Sequence, residues 1–129
     1  MKKFLSIVPR WLPSLLLMSV IFAFSSRTSS ELPNFHSWDY FIKKGAHAFG
    51  YGLLALSYMH TFKWDEKRYW LAWLLAVLYS ATDEFHQSFV PGRHSAISDA
   101  LIFDNLGALI ALTSHYFYWR EHEKENKQA

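Results

Sequence analysis

The charged residues of this chain crowd into a few short stretches, and what lies between them is nearly apolar. Trp11 to Phe24 is interrupted by no charge and ends in Ser25 and Ser26. Three further apolar segments follow, at about Phe41 to Phe62, Tyr69 to Val90 and Ile97 to Trp119. This pattern is characteristic of a small multi-pass membrane protein. The expected fold is all-α, a four-transmembrane-helix bundle with helices at about 11–26, 41–62, 69–90 and 97–119. The mean hydropathy of -0.02 hides this pattern, because it averages over a very uneven distribution.

Composition narrows the classes. Hydrophobic residues make up 51% and aromatics 19% of the 129 residues, which argues against general disorder. There is no Cys, so a disulfide framework and a Cys-based zinc site are excluded. A net charge of +2 is too small to argue for nucleic acid as a partner. The expected partner is the lipid bilayer, and homo-oligomerisation stays open.

At ~1.5 Å per residue the first segment reaches roughly 24 Å. A span needs ~30 Å, so flanking residues must complete it. A signal peptide is the competing reading, with Lys2, Lys3 and Arg10 as its basic region and Ala23 and Ser25 at a small-residue cleavage site. The expectation is that the segment is retained, because its Ser25-Ser26 end belongs to the polar layer described next.

Orientation follows from Lys and Arg. Residues 1–10 carry Lys2, Lys3 and Arg10, the loop after the second segment carries Lys63, Lys67 and Arg68, and the charged tail 120–129 carries Arg120, Lys124 and Lys127. With four helices these regions share one side. The other side has Arg27, Lys43, Lys44 and Arg93. The richer side is expected to be cytoplasmic, with both termini inside. The tail is expected to fray.

This topology places every unusual polar residue at the outer side. Ser25 and Ser26 end the first helix there, and Lys43, Lys44 and His47 begin the second. Asp83, Glu84, His86 and Gln87 end the third, before the turn-forming Pro91-Gly92. Ser98, Asp99, Asp104 and Asn105 begin the fourth. His47, Asp83 and Asp104 each lie six or seven residues inside their helix, roughly 10 Å below the boundary. Ionisable groups in a span cost ~2.5 kcal/mol or more each unless they pair or face water. Asp83, His86 and Gln87 share a face by their spacing of three and four, with Glu84 turned aside. Small residues four apart, Ala48 with Gly52 and Ala46 with Gly50, permit close helix approach. A stripe of Ala100, Asp104, Ala108 and Ala111 is expected to bring Asp104 close to a partner helix. Arg93 and His94 are placed to cap the layer from above.

The run Ala-Thr-Asp-Glu-Phe-His-Gln-Ser-Phe-Val-Pro-Gly-Arg at 81–93, then Ser98-Asp99 and Asp104-Asn105-Leu106-Gly107, resembles the signature of the VanZ-like family. Lys43 or Lys44 with His47, Asp39 nearby and the early Phe24-Ser25-Ser26 match further elements of it. The resemblance covers about residues 20–112. It implies a small bacterial membrane protein of the cell envelope. The founding member of that family is linked to resistance to the glycopeptide antibiotic teicoplanin. No residue-by-residue mechanism comes with the resemblance.

The candidate catalytic residues are Asp83, His86, His47 and Asp104. In an enzymatic reading His86 or His47 is the general base and Asp83 or Asp104 orients it, with Lys44 and Arg93 as a phosphate clamp. The candidate binding residues are Lys44, Glu84, Gln87, Arg93, Asp99, Asn105, Ser25 and Ser26. The expected ligand is the polar head of a lipid-linked envelope intermediate. No metal site is expected, because no compact His-x-x-x-His or similar pattern is present, and no cofactor is indicated. Two readings compete with a ligand site. One is an intramembrane hydrolase or transferase acting on a phosphate-containing lipid. The other is a non-catalytic bundle whose polar layer serves helix association with a larger membrane partner.

Overall fold

The computed structural model describes residues 8–26, 36–90 and 97–129, and these form four helices with no strand among them. Helix α1 is Leu12–Ser25, α2 is Asp39–Thr61, α3 is Tyr69–Gln87 and α4 is Ile97–Gln128. Short 3-10 turns at His36–Trp38 and Glu66–Arg68 lead into α2 and α3. Lys2, Lys3, Arg27, the Pro91-Gly92 stop, Arg93 and His94 lie outside the described residues.

Local chemistry explains the boundaries. Pro13 sits in the first turn of α1, where its missing N–H costs nothing. Helix α1 has 14 residues and so reaches about 21 Å. Helix α2 begins at Asp39, two residues before the apolar run, and α3 ends at Gln87, three residues before the expected Val90. Past Gln87 the chain tightens into i→i+3 turns, with Phe89 N donating to His86 O and Val90 N to Gln87 O. The link between α2 and α3 is sharp. Lys63 and Trp64 both adopt the left-handed region, at φ 58° and 59°, and Trp64 N donates to Met59 O at 2.8 Å. Asp65 then caps the 3-10 turn by accepting from Lys67 N.

The tail corrects the sequence reading. Residues 120–128 continue α4 as helix instead of fraying. No Gly or Pro follows Gly107, and Glu, Lys and Gln are strong helix formers. Arg120–Glu123, Glu121–Lys124 and Glu123–Lys127 also place opposite charges three or four apart.

The helices alternate in direction. At one end Arg10 Nη1 donates to His60 O, and Ser14 Oγ lies 3.2 Å from Thr61 Oγ1. Tyr69 and His115 join α3 to α4 near the same end. At the other end the C-terminus of α1 meets that of α3 through Ser26 and His86. Helix α2 is central. It supplies Tyr51, Leu54, Ala55, Tyr58 and Met59 to the core, which Ala72, Ala76, Ala108 and Leu112 complete.

The most extensive helix contact is between α2 and α4. A Cβ built on Gly107 would lie 2.1 Å from Ala48 O, and one on Gly52 would lie 3.1 Å from Gly107 O. The expected Ala48–Gly52 pair therefore does sit at a close approach. On α4 the closest approach is made by Gly107, outside the expected stripe, with Ala111 of that stripe beside Gly52. Asp104 and Ala108 of that stripe are buried, and Ala100 has no described side chain.

Polarity is distributed unusually. Phe24, Phe49, Phe85, Phe89 and Ile110 are exposed, while Ser25, Ser80, Asp83, Glu84, Gln87 and Asp104 are buried. Among the described residues no helix is long and apolar enough to cross a membrane. Helix α1 is short, and the longer helices carry the buried polar residues within their otherwise apolar runs.

Candidate functional site

The close approach of Ala48 to Gly107 sets the axial offset of α2 against α4. His47 precedes Ala48 by one residue, and Asp104 precedes Gly107 by three. The offset brings His47 Nδ1 to 3.3 Å from Asp104 Oδ1. Ser80 of α3 donates to the other oxygen, Asp104 Oδ2, at 2.6 Å. An ionised carboxylate only accepts, so Nδ1 carries the proton and the lone pair of a neutral imidazole sits on Nε2. Three helices thus contribute to a Ser80–Asp104–His47 chain that fixes both the tautomer and the tilt of the ring. A buried carboxylate on the far nitrogen of a histidine is a recurring way to orient one.

Tyr51, one turn after His47, extends the chain. Its ring stacks against the imidazole with centroids 6.0 Å apart. Its hydroxyl donates to Asp83 Oδ2 at 3.1 Å. Asp83 Oδ1 is buried without a hydrogen-bond partner. Glu84 is also buried, and its charged neighbours are Lys44, Asp104, His47 and Asp83. Lys44 Nζ lies 5.9 Å from the centroid of the Phe103 ring, in cation–π range.

A second polar group lies against α1. Gln87 Nε2 donates to Ser25 Oγ at 3.0 Å. Ser26 Oγ and His86 Nε2 are 3.0 Å apart, and the His86 ring stacks on Phe22 at 4.5 Å. Asp83 and His86 come from one stretch of α3: Asp83 bonds to Tyr51 of α2 with Ser25 of α1 also acting on it, while His86 meets Ser26 at the end of α1.

The structure therefore brings together His47, Asp83 and Asp104, with Glu84 and Lys44 beside them. It sets His86, Gln87, Ser25 and Ser26 in the adjoining group. Of the two histidines, His47 is the one held by a carboxylate. Asn105 is elsewhere: its Oδ1 accepts from Trp73 Nε1, a contact between α4 and α3. Asp99 lies in the first turn of α4 without a described side chain, and Arg93 lies outside the described residues. Among the described residues no group of three or more His, Asp or Glu is arranged to hold a metal ion.

Tyr51 and Ser80 were absent from the sequence candidates. Spacing carried a signal for both. Tyr51 is four residues after His47, and Ser80 is three before Asp83, so each shares a helix face with a residue already singled out. A tyrosine and a serine in apolar helices read as packing until their partners are seen.

The model of the VanZ/LLP1 family matches residues 5–119. No curated protein and no solved structure matches the chain.

Proposed function

This chain belongs to the VanZ/LLP1 family, and from that premise we propose that it is an integral membrane protein of the bacterial cell envelope. In this reading the four helices form a membrane bundle with both termini cytoplasmic, and the polar cluster lies under the outer leaflet. It binds the polar head of a lipid-linked envelope intermediate. The inverted polarity supports the membrane setting: large apolar side chains face outward and charges face inward. The modest apolarity of each single helix weighs the other way, and the buried charges account for much of it.

The observation that carries the ligand reading is the chain Ser80–Asp104–His47 beside Tyr51–Asp83. Buried carboxyls contributed by two helices are costly unless something repays them. Purification in native nanodiscs with mass spectrometry of the retained lipid tests it. Wild-type protein is expected to retain an envelope lipid that Asp104→Asn protein, folded and inserted, does not. Equal retention by both would overturn the reading.

A second reading, an intramembrane hydrolase or transferase, is favoured by the orientation of His47. Its Nε2 lone pair suits general-base removal of a proton from a head-group or water hydroxyl. His47→Gln protein that accumulates normally but fails to support a wild-type phenotype would favour it over a non-catalytic bundle. Teicoplanin resistance is the phenotype to examine first, as a change in inhibitory concentration when the chain is expressed.

A further inference from the structure

Asp83, Glu84 and Asp104 are buried to exposures of 4%, 3% and 2%, but they differ in how well they are matched. Asp104 is met on both oxygens, by His47 and by Ser80. Glu84 has Lys44 first among its charged neighbours. Asp83 has the Tyr51 hydroxyl on Oδ2 and nothing on Oδ1. The charged groups acting on Asp83 are His47, already engaged by Asp104, and Asp104 itself, which repels it. Ser25 Oγ accepts from Gln87 Nε2 and keeps its own O–H on the Asp83 side, where it acts on that carboxyl, but among the described residues no donor lies within hydrogen-bond distance of Oδ1.

This pattern selects a ligand by its chemistry. The unmatched position is an acceptor, so the ligand must bring a donor there. It belongs to one of three neighbouring carboxyls, with Lys44 a described cation near Glu84 and His47 engaged by Asp104. A phosphate or other anion placed at Oδ1 would meet the Asp83 carboxyl itself, with those of Asp104 and Glu84 close by. A hydroxyl would supply a donor but no charge. A quaternary ammonium would supply charge but no N–H. A primary ammonium supplies both, with three N–H donors on one cationic centre. We propose that the cluster binds a primary ammonium group, with Asp83 Oδ1 as its main acceptor and the Asp104-held His47 as one wall. This rests on the head-group reading of the cluster and names the part of the head that it takes.

The test uses the full chain in nanodiscs made from equal parts of phosphatidylethanolamine, phosphatidylcholine and phosphatidylglycerol with identical acyl chains. Retained lipids are counted by native mass spectrometry. Wild-type protein is expected to enrich phosphatidylethanolamine about tenfold over the other two, the size expected of one charge-assisted hydrogen bond in a buried site. Asp83→Asn keeps an acceptor for Tyr51 and removes the charge, so its enrichment should vanish. A parallel arm adds ethanolamine to discs of phosphatidylcholine and phosphatidylglycerol and follows unfolding by the fluorescence of the 6 Trp. A rise in midpoint there, lost in Asp83→Asn, makes a soluble amine the source of the ammonium. Enrichment without such a rise makes it a lipid head. If wild-type protein retains lipid without preference for the primary amine, this inference fails while the head-group reading stands. If it retains none and ethanolamine shifts nothing, this inference fails, and the head-group reading is decided by the native-nanodisc comparison of wild type with Asp104→Asn. The wild-type comparison decides by itself even if Asp83→Asn does not fold.

Discussion

The two ends of the bundle both join helices through a histidine, and they do so in opposite ways. At the end that holds the α2–α3 link, His115 of α4 is 2.7 Å from the Tyr69 hydroxyl and stacks on Trp64 with ring centroids 4.5 Å apart. His60 and Trp119 pack edge-on or tilted around the same group. In that clasp the Tyr69 hydroxyl and His115 Nδ1 meet each other, and rings pack around the imidazole. At the other end His47 is held by Asp104, a second carboxyl receives Tyr51, and one oxygen is left over. An aromatic clasp of this kind carries no buried carboxyl left unmatched among the described residues. The acidic cluster does, at Asp83 Oδ1, and this separates the two ends.

The largest expected effect comes from the seam that builds the acidic end. Gly107→Leu would drive a side chain into the Ala48 carbonyl, so α2 and α4 must separate. The expected loss is about 3 kcal/mol, as for overpacking of a tight contact. Chemical denaturation in detergent measures it, and the imidazole resonances of His47 should move with it. A Gly107→Leu protein of wild-type stability would show that the two helices do not depend on this approach.

Asp104→Asn should cost less, about 2 kcal/mol, since the amide can still serve Ser80 or His47 while the charge-assisted bond is lost. The sharper readout is the ring: nitrogen NMR of His47 should show a proton fixed on Nδ1 in wild-type protein and a mixture of tautomers in the variant. A fixed tautomer in both would remove Asp104 as the orienting group.

At the aromatic end His115→Phe should keep the stacking on Trp64 and lose only the bond to Tyr69, about 1 kcal/mol. Lipid retention should not change. If retention falls as far as it does in Asp104→Asn, the division of labour between the ends is wrong.

The smallest effect lies in the link itself. Lys63→Gly relieves a left-handed residue but adds freedom to the unfolded chain, for a net gain of about 0.5 kcal/mol. A loss would mean that the Lys63 side chain holds the turn, and calorimetry of the two proteins decides the sign.

Several features were legible in the residues alone. The uncharged runs mark the helices, Pro13 suits the first turn of α1, and Ala48 with Gly52 marks a close approach. The depth count placed His47, Asp83 and Asp104 at one level, and they do meet. It also grouped His86 with Asp83, because both fall on one side of α3. That inference stops at the helix surface. A difference of three residues leaves a ~60° angle between side chains, enough for one to turn toward α2 and the other toward α1. The tail, expected to fray as a charged chain end, continues α4 because its residues favour helix and nothing in them ends one.

By itself the sequence determined the four helices of the described residues, their order, and the level at which polar groups occur along them, because these depend on local apolarity and on a fixed rise per residue. Which groups pair was decided only in the tertiary structure. Pairing depends on the rotation and axial offset of one helix against another, and no spacing within a single helix encodes those. The contact of Gly107 with the Ala48 backbone sets that offset. It gives His47 to Asp104, leaves Tyr51 for Asp83, and so leaves one buried carboxylate oxygen unmatched.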